Sequence, residues 1–283
     1  MTTLVFGQRG QVAQELQTRA PVIALGRGAA DLSDPAACAA AIVSHNPSAV
    51  INAAAYTSVD NAEEEEALAT VINGDSPAAM ARVCAELDIP FVHISTDYVF
   101  DGTGEKPWQS DAATGPISAY GRSKLVGERG VRAAGGRHAI LRTSWVFSSH
   151  GNNFLKTMLR LAETRSELNV VDDQVGGATP AGSIAQACLA IAGQLGEDAG
   201  KAGIYHLSGK PDVSWADFAR AIFAAAGKKV TVHGIPTRNY FTPATRPLNS
   251  RLDCRTTLET FDIARPDWRV AIPQILRELE IDQ

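Results

Sequence analysis

Thr3-Leu4-Val5-Phe6 is a short apolar run that stops at Gly7, and a helical pattern begins near Gly10. A strand that turns through glycine into a helix aims backbone amides and a helix N-terminus at a phosphate. The spacing Gly7-x-x-Gly10-x-x-Ala13 puts small residues where the chain turns tightly, approaches a ligand and lets the helix lie on the strand. A glycine pattern alone is often only a loop. Its position after the first strand is what points to a dinucleotide, with Gly7, Gly10, Gln11 and Val12 as contacts.

The following segments continue an alternation of strand and helix, which predicts an α/β chain with a Rossmann-type, doubly wound, mostly parallel sheet. The second strand, Val22 to Leu25, ends in Gly26-Arg27-Gly28. Folds that prefer NAD carry an acidic residue here for the ribose 2′-hydroxyl. Gly26 and Arg27 stand there instead, and a guanidinium suits a 2′-phosphate, so NADPH is expected with NADH still open. The plain alternative makes Arg27 a solvated loop residue. Asp34-Pro35 reads as cap and first turn of a helix. The third strand, 49–55, runs into Tyr56 and Thr57, its small residues leaving room for a dinucleotide. Glu63 to Glu66 reads as a solvated face near a helix start, and Ser76 before Pro77 as the cap of the next helix. Pro90 to Ile94 then delivers Ser95, Thr96 and Asp97 to the carboxyl end of a buried strand, where open parallel sheets bind ligands.

Ser118-Ala119-Tyr120-Gly121-Arg122-Ser123-Lys124 places a tyrosine and a lysine four apart, on one helix face. A phenol with a pKa of about 10 is a poor proton donor near neutrality. A fixed cation nearby eases its ionisation and makes it a general acid. By itself the pair is more often a surface tyrosine packed on a lysine stem. Thr96 has an equally plain alternative, local backbone capping.

The set of phrases changes this balance. Glycine turn, hydroxyl residue and Tyr/Lys pair occur in the order of the extended short-chain dehydrogenase/reductase family, which this chain resembles from end to end. Asn52-Ala53-Ala54-Ala55 with Thr57, Val59 and Asp60, Ser95-Thr96-Asp97-Tyr98-Val99-Phe100, Arg142-Thr143-Ser144-Trp145-Val146 and Arg246 to Asp253 resemble its dTDP-4-dehydrorhamnose reductase branch. The resemblance implies reduction of a sugar-nucleotide ketone by NADPH. Thr96 would polarise the carbonyl, Tyr120 protonate the alkoxide, and Lys124 hold the nicotinamide ribose. It implies cofactor contacts at Asp31, Leu32, Ala55, Tyr56 and Thr57, and substrate contacts at Asp97, Tyr98, Trp145 and Asn153. Arg246 and Arg251 read equally as a diphosphate clamp or as surface ion pairs. Trp145 reads equally as a core residue. Where the branch has proline, this chain has Ala178.

Residues 1–150 are expected to form the dinucleotide domain, with 171–200 folding back onto it. An interleaved, smaller α/β substrate lobe would come from 151–170 and 200–283. A net charge of -5 argues against nucleic acid as partner. Cys38, Cys84, Cys188 and Cys254 are scattered without paired spacing and the six histidines show no ligand spacing, so no disulfide and no metal are expected, with a cytoplasmic location and no membrane span. A homodimer and a magnesium requirement stay open. Two other readings compete: a non-catalytic, dinucleotide-binding regulatory subunit of methionine adenosyltransferase, and a sugar-nucleotide epimerase or dehydratase. A dehydratase commonly follows its threonine with Asp-Glu, whereas here Tyr98 follows Asp97.

Overall fold

The computed structural model describes residues 2–279. In chain order the first half contains β1 (Thr3–Phe6), α1 (Gln11–Arg19), β2 (Val22–Leu25), α2 (Pro35–His45), β3 (Ala49–Asn52), α3 (Glu66–Thr70), α4 (Ser76–Glu86), β4 (Phe91–Thr96), α5 (Ala119–Ala134) and β5 (His138–Thr143). There follow β6 (Val146–Phe147), α6 (Phe154–Leu161), β7 (Glu167–Val171), β8 (Val175–Gly176), β9 (Thr179–Pro180) and α7 (Ala181–Glu197). The chain ends through β10 (Gly203–His206), β11 (Val213–Ser214), α8 (Trp215–Ala225), β12 (Thr231–Ile235), β13 (Asn249–Ser250), α9 (Arg255–Phe261) and α10 (Trp268–Glu278).

Six strands form one sheet in the order β10-β5-β4-β3-β1-β2, and every pairing in it is parallel. The order reverses between β1 and β3, the point where open sheets of this kind leave a crevice at the strand ends. Alternate strand residues face opposite layers. Val5, Ile51, Val92 and Leu141 pack with α1 and α7, through Leu16, Ile184 and Ile191. Leu4, Phe6, Val50 and Ile140 pack on the other face with Ile42, Met80 and Val131 of α2, α4 and α5. Both faces are covered, which is why these strands are continuously apolar rather than alternating.

A second core lies outside this sheet. The parallel pair β7–β12 is covered by α6, α8 and α10, with Phe218 touching the rings of Phe147, Phe154, Trp215 and Trp268. Short ladders β11-β8-β13 and β6-β9 join the two regions. Among the described residues no helix is long and apolar enough to cross a membrane.

Two expectations are corrected here. Ser76 caps nothing: α3 runs through a π-helical turn at Val71–Asp75 directly into α4, and the Ser76 hydroxyl is buried on the Leu32 carbonyl at 2.6 Å. Residues 203–206 of the expected substrate lobe form β10, an edge strand of the large sheet, because Ile204 and Tyr205 pair with Ile140 and Leu141 of β5.

Candidate active site

The carboxyl ends of β1, β3, β4 and β5 open into two adjoining cavities. Gly7 has φ +114°, and a Cβ there would sit 3.3 Å from the Ala13 Cβ and the Ala53 backbone. Any side chain would therefore strain the turn and crowd the helix at once. Gly10 stands at the N-terminus of α1 with no side chain capping it, which leaves the first amides of the helix for a ligand. One cavity, about 570 Å³, brings Arg27, Asp31, Leu32 and Tyr56 together with Gly7 and Ala55. The other, about 630 Å³, shares Gly7 and Ala55 and is lined by Gly10, Gln11, Val12, Thr57, Thr96, Asp97, Tyr98, Tyr120, Lys124 and Trp145. Together they make a trough of the shape and polarity that a dinucleotide needs, so the residues present fit one.

Ser118 starts α5 by accepting a hydrogen bond from the Gly121 amide at 3.2 Å. The helix can lie close to the turn that follows β4 because Gly121 carries no Cβ, which would fall 2.2 Å from the Tyr98 carbonyl oxygen. Tyr120 and Lys124 thereby enter the cavity one turn apart. Burial pushes the Tyr120 phenol up to about 12; a bond from Thr96 lowers it and the Asp97 charge raises it further. The Lys124 ammonium donates to the Ile94 carbonyl at 2.7 Å and lies 3.4 Å from the His93 ring. Burial brings Lys124 down to about 8, against the pull of Glu128. Tyr120 is thus a protonated acid throughout the neutral range, and burial rather than the lysine dominates its pKa.

Thr96 performs its local duty as well, accepting from the Tyr98 amide at 3.2 Å, while its hydroxyl reaches Asp97 Oδ1 at 3.2 Å. Asp97 is buried and pushed up to about 6 by desolvation, which the hydroxyls of Ser250 and Thr96 oppose. The titratable groups that face it are the phenols of Tyr98 and Tyr120. A carboxyl with its folded pKa above the unfolded value of 3.8 holds extra proton in the folded state. Its stabilising contribution is complete below about pH 4 and is lost as the pH rises through about 6. Asp97→Asn should therefore flatten the stability profile between about pH 4 and about pH 7, a difference of roughly 2–3 kcal/mol. Urea unfolding of both proteins across that range measures it; parallel profiles would refute the assignment.

This geometry can be set beside known proteins. The RmlD substrate binding domain family matches residues 1–281. A dTDP-4-dehydrorhamnose reductase of Sinorhizobium fredii is 43% identical over 292 residues, covering 100% of this chain and 99% of the relative. The chain belongs to the dTDP-4-dehydrorhamnose reductase family. The crystal structure of a dTDP-4-dehydrorhamnose reductase from Clostridium acetobutylicum superposes with a TM-score of 0.92 at 35% identity, over 99% of this chain and 100% of that one. The Bacillus anthracis dTDP-4-dehydrorhamnose reductase, solved in complex with NADP, gives 0.90 at 31% identity over 98% and 99%.

Within this family member not every expected residue reaches the cavities. Asn153 does not: it caps α6 at Lys156 and donates to Gln11, Ser148 and His150, which uses its whole amide. Arg251 lines neither of these two cavities and bonds the Asn249 side chain at 3.0 Å. Arg246 borders a further cavity of about 840 Å³, but its guanidinium forms a two-pronged pair with Asp60 at 2.9 and 2.8 Å. It fastens the 236–248 loop to the turn after β3 rather than presenting a clamp. Trp145 is held with φ +51° and stacks on Trp215, centroids 3.7 Å apart and planes 12° off parallel. Trp215 and Tyr98 line both this larger cavity and the one holding Tyr120.

The acidic run is a solvent-exposed face as expected, yet three of its members also hold neighbouring segments. Glu63 accepts from the Ala119 amide at 2.9 Å, Glu65 takes the Tyr56 hydroxyl, and Glu66 pairs with Arg122 at 2.7 Å. These bonds steady the start of α5 and hence Tyr120. Asn73, in the π-helical turn, bonds both backbone groups of Tyr56 and the Ser123 hydroxyl. Its only sequence signal was a polar residue beside Gly74. Beneath the site Glu128 and Arg142, each 2% exposed, form a two-pronged pair that also accepts from Ser95 at 2.6 Å.

Proposed function

We propose that this chain reduces the C4 ketone of dTDP-4-dehydro-L-rhamnose with NADPH, giving dTDP-L-rhamnose, the last step in making that sugar nucleotide. The observation that carries this is a single cavity in which Thr96, Tyr120 and Lys124 meet the glycine turn of β1. The relatives' names agree with it.

NADPH would lie in the trough along Gly7, Gly10 and Ala55 and supply the hydride. The Thr96 hydroxyl would turn from Asp97 Oδ1 to donate to the carbonyl oxygen and polarise it. Tyr120, protonated at neutral pH, gives its proton to that oxygen as the more basic alkoxide forms. Lys124 steadies the cofactor ribose and supports the phenolate left behind. The nucleotide half of the substrate would occupy the cavity of about 840 Å³ beyond Tyr98 and Trp215. Arg9 and Arg27 line the adenosine end, and neither enters an ion pair among the described residues. With Gly26 at the position of the usual acid, this end favours the 2′-phosphate of NADPH.

A purely regulatory dinucleotide-binding protein has no use for a buried acid and hydroxyl together in one cavity. A dehydratase would need a second acidic group beside Asp97, where Tyr98 stands.

NADPH consumption with dTDP-4-dehydro-L-rhamnose tests the reading. Turnover should appear, and Arg27→Ala should raise KM for NADPH about tenfold while KM for NADH moves little. Tight NADPH binding without turnover would instead favour the regulatory role.

A further inference from the structure

His93 is fully enclosed beside Lys124, and no step of the chemistry above uses it. It stands opposite Asn52, the two being register partners of β4 and β3. Phe91 stacks on the imidazole with planes 16° off parallel. One ring nitrogen, Nδ1, is 3.2 Å from the Asn52 amide nitrogen, and the other, Nε2, is 3.4 Å from Lys124 Nζ. The orientation of Asn52 decides where the ring carries its hydrogen. The Ala54 amide can only donate, and it donates to Asn52 Oδ1 at 3.2 Å, so the NH₂ is the end of Asn52 that faces His93. That NH₂ donates to Nδ1, and a neutral imidazole then has its hydrogen on Nε2. Burial and the lysine charge both keep the ring from taking a second proton.

We infer that Asn52 and His93 are positioning residues that present the Nε2 hydrogen to Lys124 and so set how firmly the lysine holds its proton. The use of this pair in turnover rests on the ketone-reduction reading above; its geometry does not. An ammonium has three donors and no lone pair, so it faces the Nε2 hydrogen unbonded. The neutral amine accepts that hydrogen. A hydrogen bond open only to the uncharged form favours that form. The other Lys124 bond, to the Ile94 carbonyl at 2.7 Å, serves both forms. The remaining charged and titratable groups about the amine are Glu128, one turn along α5 and paired with Arg142 of β5, and Tyr120, Asp97 and Tyr98 on the same cavity. Glu128 pulls toward the charged form, and His93 pulls against it from the sheet side. The lysine is thereby left able to change charge close to the pH range in which it serves the cofactor.

The test begins with nitrogen NMR of the wild-type His93 ring, identified through its Phe91 neighbour. Nδ1 should be bare and Nε2 protonated at every pH from about 6 to about 9. The reverse pattern overturns the inference, because Nε2 would then accept from the ammonium and strengthen it; an imidazolium in that range overturns it as well. Asn52→Asp puts a carboxylate where the NH₂ stood and should reverse the pattern. Titration of Lys124 itself, followed by side-chain carbon NMR, is the second measurement. His93→Leu removes the ring and should move that titration up by about one pH unit, carrying the alkaline limb of kcat with it. His93→Phe, which keeps the stacking on Phe91, replaces it should the leucine variant not fold. A merely structural role would lower kcat at every pH and leave both the titration and the limb in place, and that result also overturns the inference. The expected ring pattern and titration shift, with no turnover of the keto-sugar at any pH, would uphold the pairing and overturn the reductase reading.

Discussion

Tyr120→Phe is expected to lower kcat by about 10²- to 10⁴-fold, the usual worth of a positioned general acid. The substitution removes one oxygen and preserves the ring that packs edge-on against Tyr98 at 5.5 Å. NADPH affinity should therefore persist, as should the fold. Without the phenol, Thr96 remains as the one hydroxyl at the carbonyl, and its proton is already shared with Asp97. The pH profile adds a second check. Tyr120 titrates near 12 and Lys124 near 8, so an alkaline loss of activity centred near the lower value reports the lysine. Steady-state rates of NADPH oxidation with the saturating keto-sugar measure both effects. A phenylalanine variant keeping more than about a tenth of kcat would remove Tyr120 from the proton-donor role.

Arg142→Leu should destabilise the protein by about 3–5 kcal/mol, the largest stability effect expected of any single change here. Both members of the Arg142–Glu128 pair are 2% exposed, so removing the guanidinium leaves a buried carboxylate with only the Ser95 hydroxyl and the Lys124 charge acting on it. The loss also frees the Ser110 carbonyl and the face of Phe100, over which the guanidinium lies at 4.9 Å. Because Glu128 holds Ser95, next to Thr96, activity should fall along with stability. The double variant Arg142→Leu/Glu128→Leu should recover much of the loss, since it removes the orphaned charge itself. Urea denaturation of wild type, Arg142→Leu, Glu128→Leu and the double variant settles the matter: a double variant as unstable as the sum of its singles would mean that packing, not the ion pair, is decisive.

The residues legible in the sequence are those whose chemistry is local. Gly7 and Gly10 follow their strand at once, and Tyr120 and Lys124 share one helical turn, so spacing alone places them together. The third and fourth strands announced themselves by continuous apolar runs ending in small or hydroxyl residues. What was illegible depends on partners far along the chain. Arg246 looked like a phosphate ligand because its partner, Asp60, lies 186 residues earlier. Glu63 and Glu66 are solvated as read, but their bonds to Ala119 and Arg122 stayed hidden because those groups come 56 residues later. Asn153 kept its polar character but turned it to capping α6, a use that the preceding glycine and asparagine disguise. Thr143 gave no signal of its own, and only its register pairing with Thr96 and its unpaired hydroxyl mark it.

The late arrival of β10 has a consequence for biogenesis. The strand that flanks β5 begins at Gly203, although β5 itself is complete by Thr143. While the chain is being synthesised, the intervening 60 or so residues must emerge before that edge can be covered, and at ordinary elongation rates this takes several seconds. During that interval β5 presents Ala139, Ile140 and Leu141 as an unpaired apolar edge, a template for wrong pairing with another nascent chain. Fragments ending before Gly203 should therefore aggregate rather than accumulate as an independent cofactor-binding unit, and chaperone engagement should concentrate on ribosomes that have passed β5 but not yet released β10.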